Sequence, residues 1–106
     1  MGHRPRKRFG QHFLCDPAVV NHIVQVIAPK PDQFFVEIGP GLGVLTQPVL
    51  SSGCHLTAIE LDRDLVTKLE QELHGESRFH LVHDDVLNVD FKTLAANLGA
   101  SQFRVI

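Results

Sequence analysis

The sequence contains no apolar run long enough to span a membrane and no segment with the features of a secretory signal peptide. Its N-terminal segment also lacks the serine-rich, amphipathic character of an organelle transit peptide. The two cysteines, Cys15 and Cys54, form no Cys-x-x-Cys pair, and there is no internal repeat or low-complexity segment. These absences disfavour a membrane protein and a disulfide-stabilised secreted domain. They predict a cytoplasmic protein with reduced thiols.

A metal centre and a catalytic thiol are disfavoured as well. His80 and His83 lie three residues apart on a predicted strand, so their side chains point to opposite faces and form a poor ligand pair. The other histidines are scattered along the chain, and neither cysteine has a histidine at a spacing typical of a thiol nucleophile. The sequence therefore predicts no metal site.

Charge is distributed unevenly along the chain. Four cations lie in the first eight residues: Arg4, Arg6, Lys7 and Arg8. Because the whole chain carries a formal charge of −2, residues 9–106 carry −6. A basic arm, residues 1–13, ahead of an acidic body predicts a polyanionic partner, with nucleic acid as the leading candidate. Phe9 and Phe13, which follow these cations, could stack on bases or simply pack against the body.

Helical and strand patterns alternate after the arm. Helices are predicted from Asp16-Pro17 to the residues before Pro29, near 43–51, around Leu65, Leu69 and Leu73 with Gly75 closing the helix, and near 92–98. Strands are predicted at 34–38, 54–60, 79–83 and 103–106. This alternation is typical of an α/β fold with parallel βαβ units. Because the pattern stops on a strand, we expect the first half of a doubly wound, mostly parallel sheet from a larger protein.

A strand that runs into a glycine-rich turn is the most informative segment, with the sequence FVEIGPGLG at residues 35–43. Three glycines at alternate positions allow the backbone to approach a ligand that side chains would exclude. Glu60 ends the next apolar run, at about the spacing where nucleotide-binding folds place an acid against ribose hydroxyls. Together these features predict a nucleoside-containing cofactor. The alternatives for Glu60 are an exposed acid at a strand end and a neighbour of the N-cap of the helix that begins after Asp62.

The spacing of this turn distinguishes two classes of cofactor. The dinucleotide fingerprint requires its third glycine where this chain has Val44. Glu37 also places a carboxylate where a pyrophosphate would otherwise bind. A carboxylate repels phosphate but suits the ammonium and sulfonium groups of S-adenosylmethionine. S-adenosylmethionine is therefore favoured over NAD, and an NAD-dependent oxidoreductase remains the less favoured alternative.

Two adjacent acids, Asp84 and Asp85, follow the third predicted strand, where adenine would lie. One carboxylate could accept a hydrogen bond from the exocyclic amine of adenine. Because adjacent residues of an extended segment point in opposite directions, only one of them can do so. Asp85 is predicted to make this contact. The alternative for both acids is a plain loop after a strand.

Four segments occur in a defined order along the chain: RFGQHFL at 8–14, EIGPGLG at 37–43, IELD at 59–62 and HDD at 83–85. Together they resemble the rRNA adenine N6,N6-dimethyltransferase family, and most of all its small-subunit (16S) rRNA branch, the kasugamycin-resistance dimethylases. The turn at 40–42 favours this branch over the macrolide-resistance methylases of large-subunit rRNA. The resemblance covers essentially the whole chain.

The resemblance implies a Rossmann-like S-adenosylmethionine-dependent methyltransferase fold. It also implies dimethylation of N6 on two adjacent adenosines of 16S rRNA during ribosome biogenesis, within a pre-30S particle, by a protein that is monomeric at full length. The cofactor contacts carried over by position are His12, Leu14, Gly39, Gly41, Glu60 and Asp85. At position 12 the family usually has Asn. The cations of the arm would contact rRNA, and residues 14–106 would form the N-terminal part of the cofactor-binding domain.

The family's catalytic signature, Asn-Leu-Pro-Tyr, follows the fourth strand and does not occur in this sequence. We therefore expect the catalytic residues to follow Ile106 in a complete protein, and the 106-residue chain alone to lack methyltransferase activity. In the complete protein, catalysis would rest mainly on positioning adenine N6 against the cofactor methyl. A non-catalytic RNA-binding or ribosome-assembly factor with the same fold is the alternative.

Overall fold

The computed structural model describes residues 16–106 of the chain. The basic arm lies outside these residues, and so do six of the predicted contacts: Arg4, Arg6, Lys7, Arg8, His12 and Leu14. None of the helices described is long and apolar enough to cross a membrane.

Four parallel strands form the sheet: β1 Phe34–Ile38, β2 His55–Glu60, β3 Phe79–His83 and β4 Arg104–Val105. Their spatial order is β3-β2-β1-β4. The predicted parallel α/β fold is thus confirmed. The fourth strand is shorter than its predicted range of 103–106, although Ile106 still exchanges backbone hydrogen bonds with β1, donating to Val36 and accepting from Ile38.

Within residues 16–106, four α-helices alternate with the strands: α1 Pro17–Ile27, α2 Thr46–Leu50, α3 Arg63–Glu72 and α4 Phe91–Leu98. A single 3-10 turn, Val86–Asn88, precedes α4. The start of α1 is as predicted, because the Asp16 carboxylate accepts a hydrogen bond from the Ala18 N–H at 2.9 Å and Pro17 occupies the first helical position. Asp62 and Asp90 cap α3 and α4 in the same way.

Two predicted helix boundaries are wrong. The helix predicted near 43–51 begins at Thr46, because Gly41 and Gly43 adopt positive φ angles of 60° and 82° that a right-handed helix cannot accommodate. Pro48 is consequently its third residue and lies in the first turn, where proline is tolerated. The helix predicted to close at Gly75 ends at Glu72, and Gly75 lies in the turn that follows.

The main core lies on one face of the sheet. Phe35, Leu56 and Ala58 project from β1 and β2, and Val49 and Leu50 of α2 pack against them. The connections from β1 to β2 and from β2 to β3 run in one direction across the sheet. The connection from β3 to β4 runs in the opposite direction, past β2 and β1, and places β4 beside β1. Since such crossovers are right-handed, α4 lies on the face opposite α2 and α3.

Candidate cofactor-binding site

The predicted site residues meet at the carboxyl ends of the strands. Gly39 follows β1, Glu60 ends β2, and Asp85 follows β3 after one intervening residue. The chain reverses its direction of travel across the sheet between β1 and β4. Open α/β sheets bind ligands outside the carboxyl ends of the strands at such a switch point. The fold therefore brings together residues that are more than 40 positions apart in the sequence.

The three glycines of the turn have different surroundings. Gly39 and Gly41 adopt φ angles of 67° and 60°, and a Cβ atom on either would meet no atom of residues 16–106 within 4 Å. A Cβ atom on Gly43, by contrast, would lie 3.0 Å from Cδ2 of Leu69, which is fully buried in α3. Gly43 is therefore required for packing against the core. Gly39 and Gly41 border open space and leave the backbone accessible to a ligand.

Glu60 is a buried carboxylate that organises the turn. Its Oε1 atom accepts a hydrogen bond from the Gly41 N–H at 3.2 Å, and its Oε2 atom accepts from the N–H groups of Leu61 and Asp62, both at 3.0 Å. Only 8% of the residue is exposed, so the alternative of an exposed strand-end acid is wrong. A carboxylate offers about four acceptor positions, so accepting two ribose hydroxyls would require release of a backbone donor. The long bond that crosses to Gly41 is the one best placed for that exchange.

The two acids after β3 both shape the loop. Asp84 Oδ1 accepts from the Asp85 N–H at 2.7 Å and from Nδ2 of Asn88 at 3.1 Å. The hydrogen bond from Asn88 is the main cause that lowers the pKa of the Asp84 carboxyl group. Asp85 Oδ1 accepts from the Leu87 N–H at 2.9 Å and caps the 3-10 turn. Each acid has at least one oxygen engaged locally, and the adenine contact of Asp85 stays a prediction.

Thr46 is a residue of this region that sequence reasoning missed. Its Oγ1 hydroxyl donates a hydrogen bond of 2.5 Å to Oε1 of Glu37, and both residues are buried. They are nine positions apart and belong to different elements, so no sequence spacing signals the pair. Only the path of the glycine turn brings α2 beside the end of β1.

Burial raises the pKa of Glu37 above its ordinary value of 4.5, and the negative charge of Glu60 adds to this, whereas the hydrogen bond from Thr46 lowers it. The folded state therefore favours the protonated acid more than the unfolded state does. Below the ordinary pKa, Glu37 is protonated in both the folded and the unfolded state. As the pH rises through the raised pKa, the folded state loses stability relative to a neutral side chain.

We accordingly expect Glu37→Gln to raise the free energy of unfolding at pH 7 and to leave it nearly unchanged at about pH 3.5. Urea denaturation at both pH values measures this difference. The glutamine keeps an oxygen that can accept from Thr46, so packing is conserved. An equal change at both pH values would contradict the assignment of the pH dependence to this carboxyl group.

Exposed apolar side chains surround the candidate site. Ile38, Leu42, Leu61 and Leu87 are 44%, 55%, 65% and 88% exposed, respectively. Each lies within two residues of a predicted contact, since they neighbour Gly39, Gly41, Glu60 and Asp85 in the sequence. Ligand sites combine apolar surface with a few placed polar groups. Sequence reasoning missed these residues because their exposure depends on the turns that carry them.

Other features of the described residues do not point to a second site. A shallow cleft of about 540 Å³ lies between the end of α3 and the amino end of β3, lined by Leu73, His74 and Phe79 among others. It contains none of the predicted contact residues. Within residues 16–106, no group of three or more His, Cys, Asp or Glu side chains could hold a metal ion.

Comparison with known proteins identifies the family. The model of the family described as ribosomal RNA adenine dimethylase matches residues 2–105. The chain belongs to this family. A similar relative is the ribosomal RNA small subunit methyltransferase A of Paracidovorax citrulli (strain AAC00-1), which is 53% identical over all 106 residues. The chain spans 40% of the length of that relative.

Two solved structures are similar to this chain. The 23S rRNA methyltransferase ErmE has a TM-score of 0.64 and 28% identity over 71% of this chain and 31% of its own. A dimethyladenosine transferase from Plasmodium falciparum also has a TM-score of 0.64, at 20% identity over 72% of this chain and 28% of its own. The second likeness is one of fold alone. The predicted Rossmann-like methyltransferase fold is confirmed.

Proposed function

We propose that the chain binds S-adenosylmethionine and forms the cofactor-binding part of an rRNA adenine N6,N6-dimethyltransferase that acts on small-subunit rRNA. The observation that carries the proposal is the open glycine turn joined to a buried acid. Gly39 and Gly41 border open space, and Glu60 is linked to Gly41 by a hydrogen bond of 3.2 Å. This arrangement lies at the switch point of a sheet in a member of the dimethylase family.

Each part of the site suits one part of the cofactor. The Glu60 carboxylate would accept hydrogen bonds from the ribose hydroxyls, and Asp85 would accept one from the adenine amine. Exposed Leu61 and Leu87 would cover the apolar faces of the adenosine. The glycine turn would leave room for the amino-acid end, because no Cβ atom projects at Gly39 or Gly41. When bound, the cofactor supplies an electrophilic methyl group on its sulfonium.

The substrate assignment rests on family membership together with charge. Small-subunit rRNA, within a precursor ribosomal particle in the cytoplasm, is the polyanion that the basic arm would contact through Arg4, Arg6, Lys7 and Arg8. In this proposal residues 1–13 are an RNA-contacting arm that also supplies His12 to the cofactor. Residues 14–106 are the first part of the cofactor-binding domain.

Calorimetric titration of S-adenosylhomocysteine into the purified chain, with circular dichroism on the same sample, tests the cofactor assignment. We expect saturable binding of one ligand per folded chain and no binding of NAD, because Glu37 and Val44 disfavour a pyrophosphate in the turn. A folded chain that binds neither ligand, or that prefers NAD, would contradict the proposed function.

A further inference from the structure

Thr46 is a buried polar residue beside the glycine turn to which the proposed function assigns no role. Its side chain has no exposed surface, and its hydroxyl donates to Oε1 of Glu37 at 2.5 Å. The Thr46 side chain also lies 3.9 Å from the position that a Cβ atom of Gly43 would take. Thr46 therefore lies beneath the turn. Because its side chain is buried, its hydroxyl can affect a ligand in the turn only through Glu37 and not by direct contact.

The two oxygens of Glu37 have different environments. Oε1 receives the Thr46 hydroxyl, whereas no residue among 16–106 donates to Oε2. Only 5% of Glu37 is exposed. A nearly buried carboxylate is best satisfied by a cation that contacts the oxygen for which residues 16–106 supply no donor.

Among the elements packed around Glu37, β4 carries the cation Arg104, but its guanidinium group lies over the Phe35 ring and donates to Oε1 of Gln33 at 3.2 Å. Glu60 on the neighbouring strand is the charged group that acts on it, and its charge is also negative. The α2 segment contains no titratable residue, and the buried residues of α3 are apolar. His83 pairs in register with Glu60, but its ring lies against the carbonyl oxygen of Leu61 at 3.1 Å. Within the described residues, then, the two neighbouring acids have no cationic partner.

We propose that Thr46 is a positioning residue whose hydroxyl holds one oxygen of Glu37 so that the other oxygen receives the ammonium group of the cofactor. This inference rests on the proposed function, since it assumes that S-adenosylmethionine occupies the turn. Without the hydroxyl, Oε1 loses its partner and the carboxylate is no longer held in one orientation. It also becomes protonated more readily and loses the charge that attracts the ammonium group.

Two ligands separate positioning from packing. S-adenosylhomocysteine carries the ammonium group, whereas 5′-methylthioadenosine keeps the adenosine and sulfur but lacks the amino-acid end. We expect Thr46→Val, which keeps the shape and removes the hydroxyl, to weaken S-adenosylhomocysteine binding about fivefold to thirtyfold. Binding of 5′-methylthioadenosine should change less than about twofold. Thr46→Ser restores the hydroxyl and should bind S-adenosylhomocysteine within about threefold of the wild type.

The pH dependence of binding supplies a second readout. Affinity of the wild-type chain for S-adenosylhomocysteine should fall as the pH drops through the raised pKa of Glu37, because the protonated acid attracts the ammonium group weakly. In Thr46→Val this loss should begin at a higher pH, since the hydrogen bond that lowers the pKa is gone. In a Glu37→Gln background, Thr46→Val should cause no further selective loss.

The outcomes separate this inference from the proposed function. A wild-type chain that binds neither ligand would overturn both. Wild-type binding with unchanged affinity in Thr46→Val, or an equal loss for both ligands, would overturn the role of Thr46 alone. If circular dichroism shows that Thr46→Val is unfolded, the binding of both ligands to Glu37→Gln and to Thr46→Ser tests the role of Thr46 instead. Selective loss in Glu37→Gln with retention in Thr46→Ser supports the inference, and any other combination overturns it.

Discussion

Replacement of Glu60 with alanine is expected to weaken binding of S-adenosylhomocysteine by about 1–3 kcal/mol, which corresponds to roughly 5- to 150-fold in Kd. Two losses add in this variant. The ribose hydroxyls lose a charged acceptor. The N–H groups of Gly41, Leu61 and Asp62 also lose the carboxylate that accepts their hydrogen bonds in the wild-type chain. Calorimetric titration of the wild-type chain and the variant measures the difference.

A matched control for this experiment is Asp64→Ala. Asp64 is an exposed acid four residues further along, and it lies in the first turn of α3 outside the site. The control removes the same negative charge as Glu60→Ala does. Because this charge is exposed and lies outside the proposed site, its removal should change Kd less than about twofold. Circular dichroism and urea denaturation establish that each variant is folded. A folded Glu60→Ala chain that binds as tightly as the wild type would remove Glu60 from the site.

Alanine at two glycines of the same turn should produce opposite defects. Gly43→Ala is expected to lower the free energy of unfolding by about 2–4 kcal/mol, because the new methyl group overlaps Leu69 and the residue keeps a positive φ angle. Leu69 is fully buried and has little room to give way. Gly41→Ala bears the conformational cost alone, about 1–2 kcal/mol, because no atom of the described part of the chain lies within 4 Å of its new Cβ.

Ligand binding should show the reverse order for these two variants. The methyl group of Gly41→Ala projects into the open space that the cofactor is proposed to occupy, so S-adenosylhomocysteine should bind at least about tenfold more weakly. Folded Gly43→Ala should bind nearly as the wild type does. Urea denaturation and calorimetry on both variants measure the two effects. Normal binding by Gly41→Ala would show that the cofactor does not approach this part of the turn.

Much of the fold could be predicted because the patterns that determine it are local. Asp16-Pro17 starts α1 through a cap and a proline that act within two residues. The apolar run of β1 and the glycines that end it likewise act within one short segment. The start of α2 was predicted too early because the length of an irregular turn depends on packing. Gly43 must clear Leu69, which lies 26 residues away in the sequence.

The site could be predicted only in outline. Gly39, Gly41, Glu60 and Asp85 each end a strand or follow one, so parallel pairing was enough to place them at one edge of the sheet. The hydrogen bond between Glu60 and Gly41 could not be read from spacing, since it joins a side chain at the end of β2 to the turn that follows β1. The apolar rim was missed for the same reason, because a leucine is exposed or buried according to what packs on it.

The succession of strands and helices, the glycine turn, the acids at the strand ends and the family could all be predicted, because each depends on residues adjacent in the chain or on motifs in a fixed order. Only the folded chain shows that Glu60 is buried, that Gly43 serves packing while Gly39 and Gly41 have no atom of residues 16–106 near their Cβ positions, and that Thr46 reaches Glu37. Burial and hydrogen bonding between distant residues arise only when the sheet brings separate strand ends together.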